Sequence, residues 1–182
     1  MFSDLEKHEL AEAAASRHES RFRFVARFLK NWVLERLAYS APVPSWRASL
    51  HRWRGVQMGK NVYVGYGVIF DRVYPDQITI GDDAVIGDRC IISAHSCGTL
   101  PQKTLFPRVV KPVRIGKGVW VAPASIIIAG VEIGDLSVIG TGSVVTRSIP
   151  PKSVAVGVPA RVIKTLDLEN PSEMAASSGS GA

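Results

Sequence analysis

An aliphatic residue recurs at every sixth position along much of this chain, and that period limits the possible folds more than any other feature. The longest series runs from Ile115 to Val145, and shorter ones run from Ile80 to Ile92 and from Met58 to Val64. A period of six fits neither an α-helix nor a simply alternating strand. It fits a short strand and a tight corner, three of which make one turn of a β-solenoid. The repeated positions are Met58, Val64, Ile80, Ile86, Ile92, Ile115, Val121, Ile127, Ile133, Ile139 and Val145.

The remaining positions of each hexad predict which side chains face the core. Gly is frequent at the second position, where it eases the backbone bend. At Asp83, Arg89, Gly118 and Gly142 the fourth position is polar or Gly, so we expect it to face outward at a corner. The fifth is small or β-branched, so we expect it to face inward. About twelve hexads predict roughly four turns, enough for a stable stack. The fifth positions are Val62, Val68, Ala84, Cys90, Ser96, Val119, Ser125, Val131, Ser137 and Ser143.

Composition and charge exclude several classes of protein. No apolar run approaches the roughly 18 residues that a membrane-spanning helix needs. Cys90 and Cys97 are the only cysteines, which argues against a disulfide scaffold and leads us to expect a cytoplasmic protein. Residues 1–60 hold 11 Lys and Arg against 6 Asp and Glu, whereas the remainder is nearly balanced. Because the positive charge is confined to one third of the chain, we expect no nucleic-acid partner.

Two segments interrupt the repeat. Residues 70–77 fall out of register, and so does a longer loop over 98–108. A solenoid can extrude a loop without disturbing its turns, and such loops commonly line a binding face. The two interruptions are therefore the first places to look for a site.

His95 directly precedes the longer loop and is the candidate catalytic residue. It is the fourth residue of the hexad that starts at Ile92, so we expect it at an outward corner. An imidazole titrates near neutral pH and can take a proton from an attacking hydroxyl; the alternative is an ordinary exposed histidine. No carboxylate neighbours His95 in the sequence. Asp71 or Asp76 could approach it across an interface and bind substrate, although the favoured interpretation of both is a solvated loop carboxylate.

The repeat and its C-terminal motifs resemble the hexapeptide-repeat acyltransferases, in particular the maltose, galactoside and sugar O-acetyltransferase branch. The motifs are residues 119–124 (VWVAPA), 129–134 (AGVEIG), 138–150 (VIGTGSVVTRSIP) and 157–164 (GVPARVIK), and the resemblance covers about residues 56–165. It implies a left-handed parallel β-helix. It also implies a homotrimer whose active sites lie between chains, with His95 as the general base.

The same resemblance implies acetyl-CoA as cosubstrate. Arg147 stands where the family more often has lysine, but it keeps the charge, and cations suit the CoA phosphates. The alternative for each cation is a solvated surface charge. The positions that match CoA contacts of the family are Pro123, Thr141, Thr146, Arg147, Arg161 and Lys164.

A metal-dependent relative with this type of repeat, the γ-class carbonic anhydrase, can be tested on histidine count. That family uses three histidines to hold zinc, whereas His95 is the only histidine beyond residue 60. His8, His18 and His51 show no ligand spacing. We therefore expect no metal.

Residues 1–55 form a basic N-terminal segment with helical character. Residues 3–6 (SDLE) have the form of a capping box, and Pro42 and Pro44 end the helical pattern. We favour a helix that packs its apolar stripe on the solenoid or on a neighbouring subunit. Because Arg and Lys accompany the stripe, the alternative is peripheral contact of residues 17–37 with an anionic membrane, at its inner face. The stripe consists of Phe22, Val25, Phe28, Leu29, Trp32, Val33 and Leu37.

The sequence thus predicts a mainly β chain with three parts: the N-terminal helical segment, the repeat domain 56–165 and a flexible tail 166–182. The expected activity is direct transfer of an acetyl group from acetyl-CoA to a hydroxyl of a saccharide or glycan precursor. An N-acetyltransferase acting on an amino sugar and a non-enzymatic β-helix scaffold are the alternatives.

Overall fold

The computed structural model describes residues 11–167. Residues 11–15 are helical, and two helices follow: α1 (Arg21–Ser40) and α2 (Pro44–Arg54). Ser20 caps α1 by accepting the N–H of Arg23 at 3.4 Å. Pro44 lies in the first turn of α2, so it starts a second helix where the sequence predicted only the end of one. The predicted capping box at residues 3–6 lies outside the described residues, as do residues 168–182 of the predicted tail.

Beyond α2 the chain forms three parallel sheets that successive strands enter in rotation. β1, β2 and β3 start sheets 1, 2 and 3, and β4 returns to sheet 1, so each sheet takes one strand from each of four turns. Sheet 1 contains β1 (Gln57–Met58), β4 (Ile78–Ile80), β9 (Val113–Ile115) and β12 (Glu132–Ile133). Sheet 2 contains β2 (Tyr63–Val64), β5 (Val85–Ile86), β10 (Trp120–Val121), β13 (Val138–Ile139), β15 (Ser153–Gly157) and the antiparallel β16 (Ala160–Thr165). Sheet 3 contains β3 (Ile69–Phe70), β6 (Ile91–Ile92), β11 (Ile126–Ile127) and β14 (Val144–Val145).

The two interruptions of the repeat lie outside these sheets. The first contains a 3-10 turn at Pro75–Gln77. The second is an antiparallel hairpin of β7 (His95–Ser96) and β8 (Val109–Val110), with a 3-10 turn at Leu100–Gln102 between its strands. Each insertion follows a strand of sheet 3, so both leave the stack at one edge.

The core is the predicted aliphatic column. Residues at the first hexad position stack in register, as Ile80, Ile115 and Ile133 do in sheet 1. All are buried except Met58, which lies partly exposed in the first turn. The fifth positions other than Ser96 are buried too, and their serines are satisfied: the hydroxyl of Ser125 donates to the carbonyl oxygens of Ala122 and Gly140. The prediction of a mainly β fold with an N-terminal helix is therefore confirmed.

The fourth hexad position has a stronger requirement than an outward direction. Its residues have positive φ, including Asn61, Asp83, Arg89, Ala124 and Leu136. The left-handed backbone explains why Gly, Asn and Asp recur there. His95 is the exception, because the chain leaves the hexad register after Ile92. Ala94 is buried and Ser96 exposed, so the predicted inward Ser96 and the corner position of His95 are both wrong.

The two helices pack against the first turn of the stack. Ala48 of α2 joins the core cluster, and the Arg47 guanidinium, buried in the same helix, donates to the carbonyl oxygen of Val64 at 2.7 Å. α1 packs on α2, where the Glu35 carboxylate lies 3.6 Å from the Arg54 guanidinium. No helix within residues 11–167 combines the length and apolar character that a membrane span requires.

Helix α1 buries the opposite face from the one predicted. Its buried residues are Phe24, Asn31, Glu35 and Ala38. Most of the predicted stripe is exposed, and Phe22 is 83% accessible. Packing of this stripe on the chain's own β domain is therefore wrong, which leaves a neighbouring subunit or a membrane. The exposed apolar residues of α1 are Phe22, Val25, Leu29, Trp32, Val33 and Leu37.

Candidate active site

His95 and Asp71 form a hydrogen-bonded pair where the chain leaves sheet 3. The Nδ1 atom of His95 lies 2.5 Å from Oδ2 of Asp71. The His95 side chain is 23% exposed, whereas the Asp71 side chain is fully buried. Asp71 follows β3 and His95 follows β6, and these strands pair in register. A carboxylate and an imidazole 24 residues apart are thus brought together by the stacking of two turns.

The Asp71 carboxylate is fully engaged by donors. Its Oδ2 also accepts the N–H of Ala94 at 2.8 Å, and its Oδ1 accepts the N–H groups of Val73 and Tyr74, each at 2.9 Å. Burial alone would raise the pKa of Asp71, but the hydrogen bond from His95 and those from the backbone outweigh it, so the pKa is lowered. Asp71 therefore stays ionised at neutral pH.

An ionised carboxylate fixes which ring nitrogen of His95 carries the proton. Because Asp71 can only accept, Nδ1 of His95 must donate, and in the neutral ring Nε2 is then the basic nitrogen. This is the arrangement that a general base needs: one nitrogen held and oriented, the other able to take a proton from a substrate.

The position of Asp71 corrects the sequence interpretation. It is neither a solvated loop carboxylate nor a residue that reaches His95 across an interface, because it is buried in the same chain as its partner. Asp76 does not contact His95 and forms an ion pair with Arg17 at 2.8 Å. Phe70 lies six residues after Val64, so the repeat could have been extended to Phe70 in the sequence. Pairing of Phe70 with Ile92 would then have placed Asp71 beside Ser93, the residue after Ile92.

Further residues that the sequence did not single out hold the pair in place. The buried Arg54 guanidinium donates to the carbonyl oxygens of Phe70 and Asp71, both at 3.3 Å. The ring of Tyr74 packs edge-on against His95 with centroids 5.2 Å apart. The hydroxyl of Ser93 donates to the backbone oxygen of His95 at 2.8 Å. The helices thus support the site, since Arg54 belongs to α2.

Of the predicted CoA-binding residues, Thr146 and Arg147 share an edge with His95. The segments that leave sheet 3 stack through backbone hydrogen bonds, and Thr146 follows β14 as Ser93 follows β6. Two strand spacings separate them, about 10 Å. Arg147 is exposed on this edge. We call this the His95 edge; its first residues in the four turns are Asp71, Ser93, Ile128 and Thr146.

The other predicted CoA-binding residues lie on sheet 2 or where the chain leaves it. Pro123 and Thr141 follow β10 and β13, and the N–H of Gly142 donates to the Pro123 oxygen at 3.0 Å. Arg161 and Lys164 lie on β16, paired with Val156 and Val154 of β15. Within one chain, the structure therefore does not bring the six predicted residues together.

The hairpin that carries His95 lines an open pocket of about 300 Å³. It starts at Ser96, the residue after His95, and Leu105 and Phe106 of its lining are 76% and 61% exposed. Within residues 11–167, no group of three His, Cys, Asp or Glu side chains is placed to hold a metal ion.

Comparisons with known proteins agree with this architecture. Residues 112–147 match the family described as bacterial transferase hexapeptide (six repeats), and residues 77–99 match the hexapeptide repeat of succinyl-transferase. The chain therefore carries the hexapeptide repeats of this transferase class, and the resemblance drawn from its sequence is confirmed.

Its relatives are acetyltransferases. It is 36% identical to the galactoside O-acetyltransferase of Escherichia coli K12 over 118 residues, which are 62% of this chain and 55% of that protein. A galactoside acetyltransferase solved in complex with coenzyme A superposes with a TM-score of 0.66 at 28% identity, covering 81% of this chain and 84% of the other. A maltose O-acetyltransferase from Clostridium difficile 630 gives a TM-score of 0.57, also at 28% identity, covering 79% and 88%.

The sequence matches end short of full length. The chain spans little more than half the length of the curated relatives that it matches, 55% and 59% for the first two.

Proposed function

We propose that this protein is an acetyltransferase that moves an acetyl group from acetyl-CoA to a hydroxyl of a saccharide or glycan precursor. The observation that carries the proposal is the His95–Asp71 pair, a partly exposed imidazole held by a buried carboxylate. The relatives support the donor and the reaction type, because they are named as galactoside and maltose O-acetyltransferases and one was solved with coenzyme A.

In the proposed mechanism His95 acts as general base and no acyl-enzyme forms. Nε2 takes the proton of the acceptor hydroxyl while the oxygen attacks the thioester carbonyl carbon. The tetrahedral intermediate collapses, the carbon–sulfur bond breaks, and the imidazolium returns its proton to the departing thiolate. Asp71 stabilises the imidazolium during this cycle because the carboxylate stays ionised beside it.

We further propose that three chains wind as left-handed β-helices and assemble as a trimer. The outward side chains of the sheets support this assembly. Those of sheet 1 are polar and exposed, whereas those of sheets 2 and 3 are apolar, with Trp120 51% and Ile91 38% exposed. A cyclic trimer covers two different faces of each chain and leaves a third in solvent. The outward residues are Gln57, Thr79, Arg114 and Glu132 in sheet 1, Tyr63, Val85, Trp120, Val138 and Val154 in sheet 2, and Ile69, Ile91, Ile126 and Val144 in sheet 3.

A trimer would also reunite the two groups of CoA-binding candidates. One chain keeps Thr146 and Arg147 at the end of sheet 3, away from Pro123 and Thr141 at the end of sheet 2. We propose that the cosubstrate lies between two chains, with the His95 edge of one facing residues of its neighbour. Arg147, Arg161 and Lys164 would then supply charge to the CoA phosphates.

Kinetics and calorimetry on the full chain test the catalytic part of the proposal. We expect His95→Ala to lower turnover about 10²- to 10⁴-fold, the usual range for a general base, while acetyl-CoA affinity stays unchanged. The assay follows thiol release from acetyl-CoA with saccharide and amino-sugar acceptors in parallel. Turnover of the variant equal to that of the wild type would contradict the role of His95.

Donor binding is tested separately. We expect Arg147→Ala with Arg161→Ala to weaken acetyl-CoA binding about tenfold or more, since each lost charged hydrogen bond is large enough for such a change. Lys60→Ala with Arg114→Ala removes the same charge near sheet 1 and is the matched control. Failure of a correctly assembled trimer to bind acetyl-CoA would favour the scaffold alternative, and transfer only to amines would favour the N-acetyltransferase.

A further inference from the structure

Helix α1 turns most of its apolar residues away from the protein and buries two polar ones. The face turned to the protein carries Asn31 and Glu35 together with Phe24 and Ala38, all four buried. The outward face carries Phe22, Leu29 and Val33, which are 83%, 56% and 47% exposed. A surface helix normally buries its apolar stripe, so an apolar stripe turned away from the protein indicates that something else covers it.

The charged side chains around the apolar stripe of α1 indicate which kind of partner could cover it. Glu35 is the only acid of α1, and it is buried against Arg54. With about 100° of rotation per residue, Arg21 lies at one border of the exposed stripe and Arg23 and Lys30 at the other, while Arg36 lies within the stripe beside Trp32. Cations on both borders of an apolar stripe match an anionic lipid surface, where the stripe enters the acyl boundary and the charges meet the headgroups.

Aromatic residues lie at the border as well. Trp32 is 49% exposed, with the guanidinium of Arg36 5.8 Å from its ring centroid. Trp53 of α2 is 68% exposed beside α1, where its backbone oxygen accepts a hydrogen bond from Lys30 at 3.2 Å. Tryptophan is the side chain that best suits the interface between headgroups and acyl chains.

Stripe-to-stripe pairing of two copies of the chain fits the same face poorly. If two α1 helices met stripe to stripe, the four exposed cations of each would approach those of the other without an exposed acid on either helix. Like charges brought together without counterions oppose association. Charge complementarity therefore favours anionic lipid over self-pairing of this face.

We propose that the exposed face of α1 docks this protein on an anionic membrane surface. The helix lies in the plane of the interface with Phe22, Leu29 and Val33 buried in lipid, and the β stack projects from the surface beyond α2. This docking does not depend on the transferase activity, and its test reads lipid binding alone.

The test is co-sedimentation of the full chain with vesicles of phosphatidylcholine that contain about 30 mol% phosphatidylglycerol, which gives the vesicle surface a negative potential. We expect the wild type to bind these vesicles and to bind pure phosphatidylcholine far more weakly, with binding to the anionic vesicles falling as salt is raised. Equal binding to both kinds of vesicle, or none to either, would overturn the proposal.

Two variants separate the apolar and the electrostatic contributions. Phe22→Gln with Leu29→Gln should weaken vesicle binding about tenfold or more, because two large apolar side chains no longer enter the lipid. Arg21→Glu with Arg23→Glu should weaken it about 30-fold or more. The charge reversal should not harm the helix, since acids are favoured in a first turn that now has none.

The matched control, Lys60→Glu with Arg114→Glu, changes the net charge equally but lies away from α1, and we expect it to bind vesicles as the wild type does. If this control lost binding as much as the α1 charge reversal, net charge and not the α1 face would be responsible. If the wild type did not bind vesicles and the Gln variant changed the oligomeric state in solution, the face would cover a second copy. Either result would overturn the proposal.

Discussion

The repeat domain and helix α1 both have clear hydrophobic periodicity, yet only the repeat domain turns its apolar residues inward. Ile80, Ile115 and Ile133 form one buried column, whereas Phe22, Leu29 and Val33 are exposed on a helix that buries Asn31 and Glu35. In the stack each turn fixes the direction of the next, because parallel pairing holds equivalent residues in register. In a helix, the period defines a stripe but does not say what the stripe faces.

Truncation of equivalent aliphatic side chains in the two regions should change the free energy of unfolding by very different amounts. Ile127→Ala should lower the free energy of unfolding by about 2–5 kcal/mol because Ile127 is fully buried. Leu29→Ala should change it by less than about 0.5 kcal/mol, as is usual for an exposed position. Urea unfolding at a fixed protein concentration measures both. Comparable losses would mean that α1 packs its stripe on protein.

The next effect concerns the contact between the helices and the stack. Burial, and then the neighbouring Arg54 charge, lower the pKa of His51 to about 3, while the unfolded chain titrates near 6.5. At a pH between these two pKa values, His51 therefore binds a proton in the unfolded state but not in the folded state. Stability should be fully present above pH 6.5 and fall as the pH drops toward 3, by about 1.4 kcal/mol per pH unit.

His51→Gln should remove that part of the slope, since glutamine keeps an acceptor for Arg54, which lies 3.0 Å from Nδ1 of His51. The measurement is urea unfolding at several pH values between 4 and 7. His18→Gln, at an exposed histidine, is the matched control and should keep the wild-type slope. An unchanged slope in the His51 variant would show that this histidine can be protonated in the folded protein.

The smallest effect addresses the inverted helix directly. Asn31 is 1% exposed, and among residues 11–167 neither of its side-chain polar atoms has a hydrogen-bond partner. Asn31→Leu keeps the branching at Cγ and removes the two polar atoms that lack partners, so it should raise the free energy of unfolding by about 1–2 kcal/mol. Thermal and urea unfolding measure the change. A loss of stability would show that Asn31 is satisfied in the native protein.

Most of the fold could be predicted from the sequence because the hexad repeat is a geometric rule. Once Ile115 to Val145 define the period, the inward first and fifth positions follow, and the structure departs from them at Met58 and Ser96. What the period could not reveal was the register between turns of unequal length. Phe70 pairs with Ile92, 22 residues on, whereas Ile92 pairs with Ile127, 35 residues on.

The candidate site was predicted only in part for the same reason. His95 was singled out from its place beside the long loop, but its partner Asp71 belongs to another turn and becomes its neighbour only when that turn stacks. Arg54 lies further still, on a helix that the sequence pattern did not separate from α1. Contacts between turns depend on where each insertion begins, and a periodic pattern does not contain that information.

Both ends of the stack carry features that oppose its growth into a fibre. A stack of parallel strands exposes unpaired backbone N–H and C=O groups at its first and last turns. Strands of other chains could pair with these groups one after another. Here α2 covers the first turn. At the other end Ile149 makes a single bridge to Ile133 before Pro150 and Pro151, which have no N–H to offer. The reversed strand β16 ends sheet 2 with Arg161 and Lys164, charges that oppose the addition of a further strand. The hexad repeat would allow further turns to be added. Elements that do not follow the hexad pattern thus block strand addition at both ends of the stack.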